Sequence, residues 1–261
     1  MASFLPVAPP HILKELFSNT RILHNAFYLA HEVVKDPEAY EQFKPGNDLN
    51  RNWTMNRTIM DNSVIELGNS VDFGMVKEAT EITGAQVVVL PDVLLDGQGT
   101  LEASVKAYPD WAAYFSSRAE LMFVPQGENM ISWLRCLEQF MAMFTGNQPA
   151  WIGIARNTTG RICNSRRELV DIVSTLYPRV NIHLLGFSDY VWDDMVSAKH
   201  PAVASIDSAV PVRLANSEQL LSKEFHTFVN LSGRGNWWET AKHNEWMDFN
   251  TIKVNRMIRS I

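Results

Sequence analysis

The chain has little cysteine and no long apolar run, and each shortage excludes a class of protein. It holds only 2 cysteines, Cys136 and Cys163, among 261 residues, too few for a disulfide scaffold or a four-cysteine zinc site. No apolar run reaches the length of about 18 residues that indicates a membrane span. Residues 1–10 lack the basic and apolar regions of an export signal. We therefore expect a cytoplasmic protein that does not bind membranes.

Positive charge is also scarce. The chain has 23 Lys and Arg residues against 29 Asp and Glu residues, a net charge of −6, which argues against a protein coated in positive charge. The densest basic segment holds Arg156, Arg161, Arg166 and Arg167, with no acidic residue between them. This segment is either a solvated loop and helix start or a set of phosphate contacts.

Several motifs of common enzymes are absent. The sequence contains no G-x-G-x-x-G, no G-x-x-x-x-G-K-[ST] and no G-x-S-x-G, the signatures of dinucleotide-binding proteins, P-loop proteins and many serine hydrolases. The 7 histidines never occur as His-x-His, a pattern that many metal-dependent barrels carry. We expect no zinc, no other metal and no bound cofactor. We interpret His183, in the middle of an apolar run, as a core histidine.

The chain does contain a recurring alternation of short apolar runs and helix-like segments. The runs are nearly continuous, as in parallel strands that are buried on both faces, and amphipathic segments such as 128–144 and 165–177 lie between them. The predicted strands are 21–27, 58–61, 86–92, 121–126, 151–156, 180–186, 203–207 and 226–232. This pattern predicts an α/β fold, a (β/α)8 TIM barrel forming a single domain over residues 1–261.

Polar residues follow several of the predicted strands. They are Asp61 with Asn62 and Ser63, then Asp92, Gln126, Gly186 and Asp207. One such Asp alone is typical of a helix cap or turn, but ends of neighbouring barrel strands converge on one rim, where active sites lie. Carboxylates without a metal suit chemistry at a glycosidic carbon, where one attacks and another moves protons. A Gln and an Asp can also bind a heterocycle.

One segment carries a resemblance to a known family. Asp207, Pro211 and Arg213 stand in the pattern D-x-x-x-P-x-R, which resembles the nucleophile motif of the tRNA-guanine transglycosylases. Further similarities follow in the family's order between residues 58 and 213. They are Asp61, Asp92, the segment 124–127 (Val-Pro-Gln-Gly), the segment 152–155 (Ile-Gly-Ile-Ala) and the segment 183–187 (His-Leu-Leu-Gly-Phe).

The chain departs from the tRNA enzymes in two ways. It cannot build their C-terminal zinc subdomain of three cysteines and one histidine, and it is shorter than they are. Residues 61–66 read Asp-Asn-Ser-Val-Ile-Glu, where the family has Asp-Ser-Gly-Gly-Phe-Gln. A compact chain without zinc is more similar to the phage DNA transglycosylases, which insert 7-deazaguanine bases such as preQ0 into DNA. For a phage protein, the compartment would be the host cytoplasm.

The resemblance implies a role for each site residue. Asp207 would be the nucleophile and Asp61 the general base, in a pentosyltransferase that exchanges guanine for a 7-deazaguanine base. Asp92 would accept hydrogen bonds from the base, and Gln126 and the backbone of Gly186 would donate to its O6 atom. Asn62 and Ser63 would complete the base pocket. The partners would be DNA, or tRNA as the alternative, and the 7-deazaguanine base.

Nucleic-acid contacts are expected from the loops at the barrel mouth. The candidates are Arg156, Arg161, Arg166, Arg167, Arg213, Arg234 and Trp237. Trp237 and Trp238 would alternatively pack the last helix on the barrel. Three other functions stay open, namely a tRNA transglycosylase, a nucleosidase or glycosidase acting on a small substrate, and a non-catalytic nucleic-acid-binding barrel. The sequence is compatible with a homodimer.

Overall fold

Eight parallel strands form the sheet of this protein. The computed structural model describes residues 2–19, 25–45, 57–188, 190–221 and 237–259. The strands are β1 (Ser3–Pro6), β2 (Asn25–Leu29), β3 (Arg57–Asp61), β4 (Val87–Val89), β5 (Glu120–Phe123), β6 (Trp151–Ala155), β7 (Asn181–Leu185) and β8 (Val203–Ser208). Their order is β1-β8-β7-β6-β5-β4-β3-β2. This nearly closed sheet, with helices between its strands, confirms the predicted single-domain (β/α)8 barrel.

Helices separate most of the strands. They are α1 (Pro10–Asn19), α2 (Ala30–Lys35), α3 (Pro37–Glu41), α4 (Val64–Leu67), α5 (Phe73–Thr83), α6 (Gly97–Phe115), α7 (Met130–Met143), α8 (Arg166–Leu176), α9 (Val191–Ser197), α10 (Val210–Asn216), α11 (Trp237–Thr240) and α12 (Glu245–Arg259). None of the described helices is both long enough and apolar enough to span a bilayer.

The first strand was not among the predicted strands. β1 has four residues and ends at Pro6, and residues 1–10 hold three prolines, a residue that is uncommon inside strands. It nevertheless pairs with β8 and places Leu5 opposite Asp207. The predicted strand 21–27 corresponds to β2. The predicted strand 226–232 lies outside the described residues.

The core has two layers because successive strand residues point to opposite faces of the sheet. On β4, Val88 packs with the residues under the helices, whereas Val87 and Val89 belong to the cluster inside the barrel. That inner cluster leaves little room at β6. A Cβ atom on Gly153 would lie 2.7 Å from Cδ1 of Leu185 and 2.8 Å from Cγ2 of Val124, so any larger residue would have to displace these side chains. The barrel interior is therefore packed, and open space lies at its rim.

Candidate active site

Five of the seven residues predicted to follow the strands lie around one cavity at the carboxyl ends of the barrel strands. A cavity of about 960 Å3 opens there, and its lining includes Asp61, Asp92, Gln126, Gly186 and Asp207. The three aspartates are nearly buried, with 7%, 4% and 5% of their surface exposed in that order. A buried carboxylate costs free energy unless it is hydrogen-bonded, so each of the three needs partners of its own.

One carboxylate oxygen of Asp207 has two nitrogen partners. Its Oδ1 atom accepts from the backbone N of Gly186 over 2.8 Å and lies 3.0 Å from Nε2 of His183. Gly186 has a φ of +65°, a conformation that glycine adopts at little cost. Its N–H points at Asp207 and not into the space for a base. This contact corrects the prediction that the Gly186 backbone donates to a bound base.

His183 is a buried residue, as predicted, but it is also a direct partner of Asp207. Its Nδ1 atom lies 2.8 Å from Oγ of Ser205, and its ring stacks on Phe27 with centroids 5.7 Å apart. Burial lowers the pKa of His183, although Asp207 acts in the opposite direction. The sequence carried one signal for this contact. His183 lies in the middle of β7 and Asp207 near the carboxyl end of β8, and these two consecutive strands are paired in parallel.

Asp61 has an environment that favours its protonated form. Burial raises the pKa of Asp61 well above its ordinary value, and the negative charges of Glu66, Asp92 and Asp207 raise it further. The backbone N of Ser63 donates to Oδ2 of Asp61 over 2.8 Å and opposes this shift. A carboxyl group that exchanges its proton nearer to neutral pH is suited to acid–base chemistry.

Asp92 is fixed by two side-chain amides. Nδ2 of Asn62 donates to Oδ1 over 2.7 Å, and Nε2 of Gln126 donates to Oδ2 over 2.6 Å. Burial raises the pKa of Asp92 to about 6, against the effect of these two hydrogen bonds. Asp92 is therefore ionised at neutral pH and can accept further hydrogen bonds from a ligand.

Asn62 and Ser63 do not line the cavity, contrary to their predicted contact with a base. Asn62 is fully buried and also donates to the carbonyl oxygen of Leu90. Ser63 is fully buried, and its φ of +62° forms the turn before α4. Both residues lie behind the carboxylates that they support. Glu66, which was not among the predicted site residues, does line the cavity.

The predicted nucleic-acid contacts fall into three groups. Arg156, Arg161 and Arg213 line the cavity, and burial together with Arg156 lowers the pKa of Arg213. Arg167 is 43% exposed and pairs with Asp171 over 2.8 Å on the outer surface of α8. Arg234 lies outside the described residues, as does the side chain of Trp237, whose backbone begins α11.

Arg166 was predicted to contact nucleic acid, and this prediction is wrong because its side chain is completely buried. Its Nε atom donates to Oδ1 of Asp194 over 2.7 Å. Its Nη atoms donate to the carbonyl oxygens of Ile154, Leu185 and Gly186 over 3.2, 3.1 and 2.7 Å. The guanidinium is thus fully used in tying the carboxyl ends of β6 and β7 together.

The site combines four carboxyl groups with three arginines. Asp61, Glu66, Asp92 and Asp207 share the cavity with Arg156, Arg161 and Arg213. Such a lining suits a ligand that offers N–H donors to the carboxylates and phosphate to the arginines. Among residues 2–19, 25–45, 57–188, 190–221 and 237–259, no three His, Cys, Asp or Glu side chains are grouped to hold a metal ion.

The barrel fold does not identify the reaction, because (β/α)8 barrels are found in enzymes with many unrelated activities. The side chains around the cavity, and not the fold, determine which reaction a barrel can carry out. No protein-family model matches the sequence, and a comparison with curated proteins finds no match either.

Proposed function

We propose that this protein is a DNA-guanine transglycosylase, which exchanges guanine in DNA for a 7-deazaguanine base through a covalent Asp207–sugar intermediate. The observation that carries the proposal is the grouping of Asp207, Asp61 and Asp92 around one cavity, in the order of the family that the sequence resembles. Each of the three carboxyl groups has a different set of partners, and therefore a different chemical task.

The first half of the reaction removes guanine. The nucleotide must leave the base stack, because C1′ cannot be reached inside a duplex. Oδ2 of Asp207 attacks C1′, and the bond from C1′ to N9 of guanine breaks. The electron pair of that bond stays on N9, and protonated Asp61 supplies the proton that neutralises the leaving base. The raised pKa of Asp61 supports this role.

The second half installs the new base. Ionised Asp61 takes the N9 proton of the 7-deazaguanine, and N9 attacks C1′. The bond between C1′ and Asp207 breaks, and its electron pair returns to the carboxylate. Because one glycosidic bond replaces another, the exchange needs no nucleotide triphosphate.

Asp92 is the residue proposed to recognise the base. Guanine and 7-deazaguanine both present an N1–H and an exocyclic amine on one edge, and an ionised carboxylate accepts from both. Asn62 and Gln126 hold that carboxylate in one plane. Gln126 also lines the cavity, where the second hydrogen of its amide can donate to O6.

The arginines support a polymeric substrate. Arg156, Arg161 and Arg213 lie around the cavity, and arginine is the residue best suited to bind phosphate in two-point contacts. DNA is favoured over tRNA through the resemblance alone, because the chain cannot build the zinc subdomain of the tRNA enzymes. A nucleosidase acting on free nucleosides would have no use for these three arginines.

The proposal is tested by incorporation of labelled preQ0 into double-stranded DNA and, in parallel, into tRNA. We expect label in DNA, release of guanine and a denaturant-resistant protein–DNA adduct. Asp207→Asn should abolish all three, and Asp61→Asn should abolish exchange. Asp171→Asn, which removes an exposed carboxylate on α8, is the control and should leave exchange unchanged.

Other outcomes would contradict the proposal in distinct ways. Label in tRNA alone would identify the tRNA reaction, and release of free sugar without incorporation would identify a hydrolase. Full exchange by Asp207→Asn would remove Asp207 as the nucleophile.

A further inference from the structure

We propose that His183 is a positioning residue for the nucleophile, and that its imidazole donates Nε2–H to Oδ1 of Asp207 and turns Oδ2 toward the sugar. Ser205 fixes the imidazole from the other side. The inference rests on the proposed function, because it concerns the same carboxylate.

The geometry follows from the pairing of β7 with β8. His183 lies opposite Ser205 in the register of these strands. Ser205 and Asp207 are two residues apart and therefore share one face of β8. The imidazole reaches both, with Nδ1 2.8 Å from Oγ of Ser205 and Nε2 3.0 Å from Oδ1 of Asp207. The ring has no exposed surface and stacks on Phe27, so its orientation is fixed.

The hydrogen-bond partners select one tautomer of the imidazole. An ionised carboxylate can only accept, so Nε2 carries the proton that it shares with Asp207. Nδ1 is then the acceptor, and the hydroxyl of Ser205 donates to it. The charged groups that act on the pKa of the ring are Asp207 from β8, Arg166 from α8 and Arg57 from β3. Burial and the two arginines lower the pKa of His183, against the effect of Asp207, which keeps the imidazole neutral.

A neutral donor at this position has a specific use. The N–H of Gly186 and the Nε2–H of His183 both end on Oδ1, which leaves Oδ2 as the oxygen that attacks C1′. A neutral imidazole orients the carboxylate without neutralising its charge. When the bond from C1′ to Oδ2 breaks in the second half of the reaction, the same two donors stabilise the charge that returns to the carboxylate.

Ser205, His183 and Asp207 are the residue types of a hydrolase triad. Here, however, the aspartate faces the cavity and the serine lies buried behind the histidine. Ser205 is fully buried, whereas Asp207 lines the cavity. A triad would present its serine to the substrate. Here the carboxylate meets the substrate, and the serine supports the histidine from behind.

Two variants separate positioning from packing. His183→Gln places an amide near the position of Nε2 and can still donate to Asp207. His183→Asn places its amide near the position of Nδ1 and cannot reach Asp207. We expect His183→Asn to lower kcat for base exchange about 10²-fold, with the KM for preQ0 changed less than about twofold. His183→Gln should restore most of that loss. His200→Gln is the control and should behave like the unmodified protein, because His200 is a partly buried histidine that lies 3.5 Å from Asp171 and does not line the cavity.

A second measurement does not depend on activity. Long-range proton–nitrogen NMR spectra of the full chain should show His183 protonated at Nε2, and Asp207→Ala should change the nitrogen shifts of that ring. If the unmodified protein exchanges no base into DNA or tRNA, the proposed function fails, while the spectra still decide whether His183 donates to Asp207.

Three results would overturn the inference. They are a His183 protonated at Nδ1, an unchanged kcat in His183→Asn, and equal losses in His183→Asn and His183→Gln. The last result would make His183 a packing residue. Thermal unfolding of each variant shows whether a lost activity reflects a lost fold.

Discussion

Nε2 of Gln126 donates a 2.6 Å hydrogen bond to Oδ2 of Asp92. Asn62 binds the other oxygen of the same carboxylate, so the two amides fix its plane from both sides. A carboxylate has about four acceptor sites in total, and this arrangement uses two of them. The other acceptor sites are available to a base in the cavity that Asp92 and Gln126 line.

Replacing the Asp92 carboxylate should weaken base binding more than catalysis. Asp92→Asn removes the charge, and its amide group faces donors from Asn62 and Gln126. A hydrogen bond to a charged group contributes about 1.5–3 kcal/mol, so the KM for preQ0 should rise roughly 10- to 100-fold. Initial-rate measurements over a range of preQ0 concentrations provide the check. Asp110→Asn, on the exposed side of α6, should leave the KM unchanged, and an unchanged KM in Asp92→Asn would remove Asp92 from base recognition.

Base binding should depend on pH through Asp92. Burial raises its pKa to about 6, so the carboxylate is ionised above that pH and protonated below it. The KM for preQ0 should rise as the pH falls below about 6. The same profile measured for Asp92→Asn should be flat in this range, and a parallel rise in both proteins would point to another titrating group.

The raised pKa of Asp92 also affects the stability of the fold. As the pH rises through 6, base binding should improve, whereas the contribution of Asp92 to the free energy of unfolding should fall. Between about pH 4 and pH 6, Asp92 is protonated in the folded protein and ionised in the unfolded chain. Its contribution to the free energy of unfolding is therefore fully present below pH 4 and is lost as the pH rises through 6. The shift from 3.8 to about 6 corresponds to about 3 kcal/mol. Urea unfolding at pH 4 and pH 7 provides the check. The loss of unfolding free energy between these two pH values should be smaller in Asp92→Asn than in the unmodified protein, by about 3 kcal/mol.

Arginines at the two ends of the barrel should differ in their effect on DNA binding. Arg156→Ala, Arg161→Ala and Arg213→Ala should each weaken binding, because these side chains line the cavity. Removing one phosphate ligand should reduce the slope of log K against log salt concentration by about 0.9. Arg118→Ala is the control, since Arg118 precedes β5 at the opposite end of the barrel. Equal slopes in all four variants would exclude these three arginines as phosphate ligands.

Removing one partner of the buried pair Arg166–Asp194 should strongly destabilise the folded protein. Arg166→Met leaves Asp194 without its cation and frees three carbonyl oxygens, and breaking such a pair costs about 3–5 kcal/mol. Asp194→Leu should cost a similar amount. The double variant should be destabilised by less than the sum of the two single effects, because no unpaired charge remains buried. Chemical denaturation of the four proteins tests this coupling, and strict additivity would contradict it.

The sequence predicted the barrel because buried parallel strands leave a strong local signal. Seven of the observed strands overlap predicted ones, since each is a nearly continuous apolar run. β1 was not predicted because a strand of four residues that ends in Pro6 is too short to show a recognisable apolar pattern. Its assignment depends on pairing with β8, more than 190 residues away, and that pairing is not encoded locally.

The site was predicted in part for a similar reason. Asp61, Asp92 and Asp207 follow strands, and topology alone brings the ends of parallel strands together. The roles of Arg166 and His183 depend instead on partners from distant segments, Asp194 and Ser205. The four clustered arginines do not differ in sequence in a way that predicts the burial of Arg166. The apolar run around His183 likewise does not predict its contact with Asp207.

Between β1 and β2, the described residues close the barrel without backbone hydrogen bonds from strand to strand. β1 and β2 are the two ends of the strand order, and among the described residues no strand pairing joins them. Nδ2 of Asn25 instead reaches the carbonyl oxygen of Phe4 over 3.3 Å. Within the described part of the chain, separating β1 from β2 would therefore break side-chain contacts and no strand pairing. Since β1 also pairs with the strand of Asp207, a small opening at this seam would widen the entrance beside Asp207 and leave the other seven strand interfaces intact.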